Sequence, residues 1–339
     1  MLFGCSIMNV PREGGVLLQQ KKYSAALRPC KVAVFGGDGF LGSYFVERLL
    51  ALGCKVTVFG HTRHGVSGNL APLEDRFRRV LGEFNDDRAV ATALQGQDIA
   101  AHFILASTPV GSWETPLLTV ETDLKPSLRF FEQCANLGVR KVLFTSSGGS
   151  LYGPQREPTS ENASANPFNP HGIVKLCEEH FLRYFREHSQ LASDCYRIGN
   201  AYGPRQPLGR PQGVIGAWIG RILDGLPIEI YGDGETVRDY VHAADAAELM
   251  TYSLRDLDTS ETFNIGSGQG TSILELLELF RRVHRRNFVC LRHPRRALDN
   301  PRAVLLSNKL LEHFPGFSFR DLEQGVRESF AWAESQRRP

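Results

Sequence analysis

The stretch "KVAVFGGDGFLGSYFVERLLALGCKVTVF", residues 31–59, passes from an apolar run through a glycine-rich turn into an amphipathic segment and out to a second apolar run. The opening KVAVFGG is short and rich in valine and phenylalanine, the pattern of a strand buried on both faces. In LGSYFVERLLALG the apolar residues recur at helical spacing, and Gly53 stands where a helix is commonly closed. KVTVF at 55–59 reads as a strand again. Two buried strands joined through a helix specify parallel pairing, because antiparallel neighbours need only a hairpin.

The alternation continues outward. A helical pattern near 86–95 precedes the strand DIAAHFIL at 98–105, and a further helix covers roughly 116–137, where Pro126 is expected to introduce a kink. KVLFTSS at 141–147 is the next strand, and a helix opens after it with His171 just outside its first turn. The predicted fold is α/β, a Rossmann-type doubly wound parallel sheet with helices on both faces and a smaller C-terminal substrate-binding lobe. Residues 1–30 precede the pattern and read as a flexible extension. Residues 31–200, with about 236–266, form the expected nucleotide-binding domain; 201–235 and 267–339, richer in glycine and proline, form the second lobe.

Composition narrows the function. The 339 residues are 42% hydrophobic and 22% charged with a net charge of only +2, so no global field favours nucleic acid. The segment RRVHRRNFVCLRHPRR at 281–296 holds seven arginines and no acid, but lacks the interleaved aromatics on which bases stack. No apolar run approaches the length of a bilayer span, and the N-terminal residues lack the features of a secretory signal. Seven scattered cysteines with no CxxC pair read as reduced thiols, and a cytoplasmic location is the expectation. No metal is expected, since His171, His180 and His188 are too far apart in sequence to form a close ligand pair.

The glycine-rich turn carries the first chemistry. Gly36, Gly39 and Gly42, with Phe40 and Leu41 opening the helix, allow a pyrophosphate to approach the backbone at the helix N-terminus. A dinucleotide is therefore expected here. At the end of the second strand, where an acid normally takes the adenosine ribose hydroxyls, this chain has Gly60 followed by His61, Arg63 and His64. Arg63 facing a 2′-phosphate and Arg63 in a solvated basic loop are both open readings, so the cofactor is NAD or NADP.

FTSSGGSLYG (144–153), NPHGIVKLCEEHFL (169–182), RIGNAYGPRQ (197–206), YGDGETVRDYVHAADAAELM (231–250) and FNIGSGQGTSILEL (263–276) follow in order. Together they resemble the extended short-chain dehydrogenase/reductase superfamily in its NAD-dependent epimerase/dehydratase branch, with UDP-glucose 4-epimerase-like proteins the nearest group. The resemblance covers 31 to about 335. It implies a nucleotide-sugar, most plausibly a UDP-hexose, held between two lobes, and a homodimer as the expected assembly. Carried over by position, Glu83 and Phe84 match adenine contacts, and Lys175 matches the lysine that binds the nicotinamide ribose and activates the catalytic tyrosine. Asn200, Arg238 and Arg296 match groups that hold the diphosphate.

The departures sit around the chemistry. The family tyrosine falls on His171, its serine or threonine on Gly148, a common asparagine on Asp123 and the ribose acid on Gly60. Ser146, Ser147 and Ser150 remain near the gap as sources of a hydroxyl. A tyrosine of pKa about 10 needs a cation to work near neutrality, whereas histidine, near about 6.5, is already a neutral base that Lys175 would weaken. The imidazole is also shorter, and a displacement of about 1 Å can cost roughly a hundredfold. His171 as a base and His171 merely packing at the helix start both remain open. So do three functions: a C4 epimerase, an NADPH-dependent keto-sugar reductase, and a binding protein that has lost its catalytic tyrosine.

Overall fold

The computed structural model describes residues 30–61, 68–107, 111–156, 158–209, 213–284, 287–295 and 300–337. Nearly all of the expected N-terminal extension, together with Arg63 and Arg296, lies outside the described residues. Seven parallel strands form the central sheet: β1 (Lys31–Phe35), β2 (Lys55–Gly60), β3 (Arg78–Leu81), β4 (Ile99–His102), β5 (Lys141–Ser147), β6 (Ala192–Ile198) and β10 (Glu261–Ile265). Their order, β10-β6-β5-β4-β1-β2-β3, reverses direction between β1 and β4. At such a reversal the connections leave on opposite faces and open a crevice at the strands' C-terminal ends. The short β3, RRVL, gives no apolar pattern and escapes sequence reading.

Helices cover both faces. On one side α1 (Phe40–Ala51) packs on α6 (Ala243–Met250), around Val34, Phe45, Leu49, Tyr196 and Phe263. On the other lie α2 (Asp87–Leu94), α3 (Lys125–Asn136) and α4 (Pro170–Ser189), over an aromatic cluster of Phe35, Phe59, Phe130, Phe131 and Phe144. Burying each such ring stabilises the fold by about 1.5–3 kcal/mol. Pro126 acts differently from expectation: residues 120–124 form a π-helical turn, and the proline sits in the first turn of α3, where its missing N–H breaks no bond.

Helix α4 also starts earlier than the sequence reading. The Asn169 side chain accepts from Gly172 N at 2.7 Å, and Pro170 follows as a preorganised first residue. His171 therefore stands within the first turn rather than outside it.

Beyond the parallel sheet, α5 (Val214–Leu223), α7 (Ile273–His284) and α8 (Leu322–Ser335) enclose a third core with Trp218, Leu276, Phe280 and Phe330. Strand β9 (Val237–His242) joins this region to the main sheet, with β7 (Asn200–Tyr202), β11 (Gly270–Ser272) and β13 (Arg302–Ala303) beside it. Its buried Asp239 carboxylate accepts from Ser267 N at 2.7 Å, Ser267 Oγ at 2.6 Å, and Gly268 N and Leu305 N at 3.1 Å. One carboxylate thus fastens two loops to β9, and burial is repaid by four donors. The remaining strands, β8 (Ile228–Tyr231) and β12 (Cys290–His293), pair in parallel at the periphery.

Candidate active site

The turn from β1 to α1 is the tightest feature of the crevice. Gly36 adopts φ +79°, and a β-carbon at Gly42 would overlap the Gly36 carbonyl oxygen. Gly39 caps α1 without a side-chain acceptor, and no acid lies in the helix's first turn, so its leading N–H groups remain available to an anion. Phe40 stacks edge-on with Tyr44, and Leu41 packs into the adjoining core. Both are partly exposed at the helix start.

At the adenosine end the residues have dispersed roles. Glu83 Oε2 pairs with His61 Nε2 at 3.0 Å near the surface. Phe84 turns its ring inward against Phe35, Phe130 and His102. Gly60 ends β2 as expected, but its surroundings were illegible from sequence: the Asp38 carboxylate from the glycine turn occupies the space beside it, bonded to Arg79 Nη1 at 2.7 Å.

His171 is 4% exposed. Its Nδ1 lies 3.4 Å from Ser107 Oγ, and its backbone N–H donates to Ser112 Oγ at 3.3 Å. Burial and the Lys175 cation push its pKa down to about 4, against an opposing pull from Asp123. The imidazole is therefore neutral across the physiological range. Asp123 itself accepts from Ala106 N at 2.8 Å and Ser107 N at 3.1 Å, so it anchors the loop that brings Ser107 to His171.

Lys175 is in place but engaged. Its Nζ sits 3.1 Å from Glu178 Oε2 and 4.4 Å from the centre of the Phe144 ring, with the Glu178 side chain fully buried. Glu178 lies one turn further along α4, and nothing in its charged context, CEEH, distinguishes it from its neighbour Glu179. That neighbour instead accepts two hydrogen bonds from Arg197, at 3.0 and 2.6 Å, and Arg197 also donates to Tyr152 Oη at 2.8 Å. The pKa of His102 is pushed down to about 3 by burial and Lys175, and its Nε2 lies 3.2 Å from Ser127 Oγ.

The hydroxyl candidates differ. Ser146 Oγ is buried and makes no hydrogen bond among the described residues, whereas Ser147 stands partly exposed at the start of the helical turn 148–151 without capping it. A β-carbon at Gly148 would overlap Leu305 Cδ1, so a side chain there requires the Leu305 side chain to shift. On the opposite wall, Asn200 Nδ2 donates to Asp239 O at 3.3 Å, and Arg238 Nη1 donates to Asn300 O at 2.6 Å. The structure brings Asn200 and Arg238 onto paired strands. No group of three metal-ligating side chains occurs among the described residues.

Residues 32–266 match the model of the NAD dependent epimerase/dehydratase family. The chain belongs to that family. It is 34% identical over 254 residues to the UDP-glucose 4-epimerase of Mycolicibacterium smegmatis, covering 73% of this chain and 80% of that one. Its structure is similar to UDP-glucose 4-epimerase of Thermus thermophilus in complex with NAD (TM-score 0.82, 30% identity, 90% of this chain and 99% of that one). It is equally similar to the Thermotoga maritima enzyme with UDP-glucose (TM-score 0.83, 28% identity, 90% and 99%). The sequence-based family and fold assignments hold: this is a Rossmann-type, epimerase-like protein. No helix among the described residues is long and apolar enough to cross a membrane.

The depressed histidine has a consequence for stability. With a folded pKa of about 4 and an unfolded one near about 6.5, the unfolded chain binds the extra proton, so stability falls as pH drops between those values. Relative to His171→Tyr, which cannot titrate there, the wild type should lose roughly 3 kcal/mol at most across that window. Urea denaturation at a series of pH values measures it. Parallel pH dependences would show that His171 titrates normally.

Proposed function

We propose that the protein binds NAD and a UDP-hexose and interconverts C4 epimers, with His171 as the proton-transferring group. What supports this reading is the buried His171 imidazole, one turn before Lys175 at the start of α4, where the resemblance puts the family's tyrosine. Family membership and the relatives' names support the ligands. Gly36, Gly39 and Gly42 with the N-terminus of α1 would hold the pyrophosphate; Asn200 and Arg238, joined by Arg296, would face the sugar-nucleotide diphosphate. When bound, NAD supplies a hydride acceptor and donor.

The chain's own part is proton transfer. With the Nδ1 proton donated to Ser107 Oγ, Nε2 is left bare to accept the sugar hydroxyl proton. Because the imidazolium is acidic in this buried place, it returns that proton readily. Epimerisation requires this, since the same oxygen loses and regains its proton. Ser146 and Ser147, at the end of β5, are the nearest candidates to steady that oxygen.

A second reading, a binding protein without turnover, is favoured by one observation. The Lys175 charge is paired with Glu178, so it is less available to the nicotinamide ribose than an unpaired lysine would be. We also propose a homodimer in a reducing, cytoplasmic setting. Leu117, 70% exposed, and Leu118 precede α3, while Ile173, Phe181 and Tyr184 are exposed on α4, which packs beside it. Contiguous apolar exposure of this kind needs a partner, and Phe181→Glu with Leu117→Glu should convert a dimer to monomer in sedimentation. A monomeric wild type would refute it.

The catalytic reading is tested by following UDP-glucose and UDP-galactose with NAD present. The wild type should interconvert them, at a rate flat with pH above about pH 5 as far as His171 is concerned, and His171→Ala should lose at least about a hundredfold. Interconversion unchanged in His171→Ala would refute the assignment. A wild type that binds both ligands in calorimetry and turns over neither would establish the binding role.

A further inference from the structure

The glycine at the end of β2 and the aspartate within the glycine turn are two halves of one exchange. A β-carbon built on Gly60 would overlap Asp38 Oδ2 and lie 3.3 Å from Asp38 Cγ. The carboxylate therefore occupies the space where a side chain at position 60 would begin. It is supplied from the β1–α1 turn instead of from the strand. A side chain at position 60 would have to displace the Asp38 carboxylate.

Arg79, on β3 beside β2, fixes the arrangement. Its Nη1 bonds Asp38 Oδ2 at 2.7 Å, while Nε and Nη2 grip Glu74 Oε1 and Oε2 at 2.5 and 2.6 Å. This guanidinium is shared by two carboxylates, and the three side chains carry a net charge of −1. Asp38 retains 17% side-chain exposure with its Oδ1 buried, so a ligand in the crevice would meet it on the Oδ2 side.

From this geometry we infer that Asp38 is the cofactor-specificity residue, accepting the adenosine ribose hydroxyls and excluding a 2′-phosphate. The inference rests on the dinucleotide reading above and adds the group that discriminates. A ribose diol offers two donors to a carboxylate. A 2′-phosphate offers none at neutral pH and meets a net negative cluster, since Arg79 is already neutralised by Asp38 and Glu74. Gly60 alone would point to tolerance of NADP. The relocated carboxylate restores selectivity for NAD.

Calorimetric titration of the full-length protein with NAD and with NADP tests this directly. The wild type should prefer NAD. Asp38→Ala should reduce that preference about tenfold or more, the equivalent of about 1.4 kcal/mol, and the near-isosteric Asp38→Asn should shift it the same way with the turn geometry kept. Asp38→Ala combined with Gly60→Asp should regain the preference, because space for the strand-end acid then exists. NAD binding with the preference unaltered in both Asp38 variants overturns the assignment of Asp38 while leaving the dinucleotide site standing. Folded wild type that binds neither dinucleotide overturns both.

Discussion

The turn between β1 and α1 leaves no space for a β-carbon at Gly42, and the rest of the site depends on that contact. The carbonyl of Gly36 packs against Gly42, which draws the start of α1 close under the strand it follows. The helix N-terminus thereby opens into the crevice between β1 and β4, with its first N–H groups unspent on side-chain caps. Anything larger at 42 would push helix and strand apart. The cofactor half of the protein is thus built on close backbone approach, and the side chains around it have been free to change.

The departures read from the sequence cluster around His171. A phenol needs a neighbouring cation, whereas an imidazole is harmed by one, because the same positive charge that lowers a tyrosine's pKa lowers a histidine's. Here the lysine faces a buried carboxylate instead of standing alone, and Leu305 fills the space over Gly148. His171, Lys175 and Glu178 share one buried polar environment at the start of α4. At the adenosine end, the carboxylate comes from the turn rather than from the strand.

Much of the fold was legible because its signals are local and repeated. Buried valine and phenylalanine runs, helical periodicity and the glycine turn each report on their own few residues. For the site, a motif proposes a role by position, as for Gly42, Lys175 and His171. What could not be read depends on contacts between residues distant in sequence. Asp38 looks like a variable turn residue until Gly60 is seen beneath its carboxylate, and Arg79 sits in a strand too short and charged to announce itself. Glu178 reads as one of two surface acids, yet helix geometry sends it into the core and Glu179 to Arg197. Pro126 was expected to bend a helix, but the chain takes up the proline by widening one turn ahead of it.

In the proposed mechanism the buried His171 imidazole does the tyrosine's work while the glycine turn keeps the binding crevice open. A crystal structure with NAD and UDP-glucose tests it most directly. The account predicts the pyrophosphate on the backbone N–H groups that open α1, and the His171 ring within hydrogen-bonding distance of the sugar's C4 hydroxyl. A dinucleotide bound elsewhere, or a His171 ring turned away from a correctly seated sugar, would contradict it.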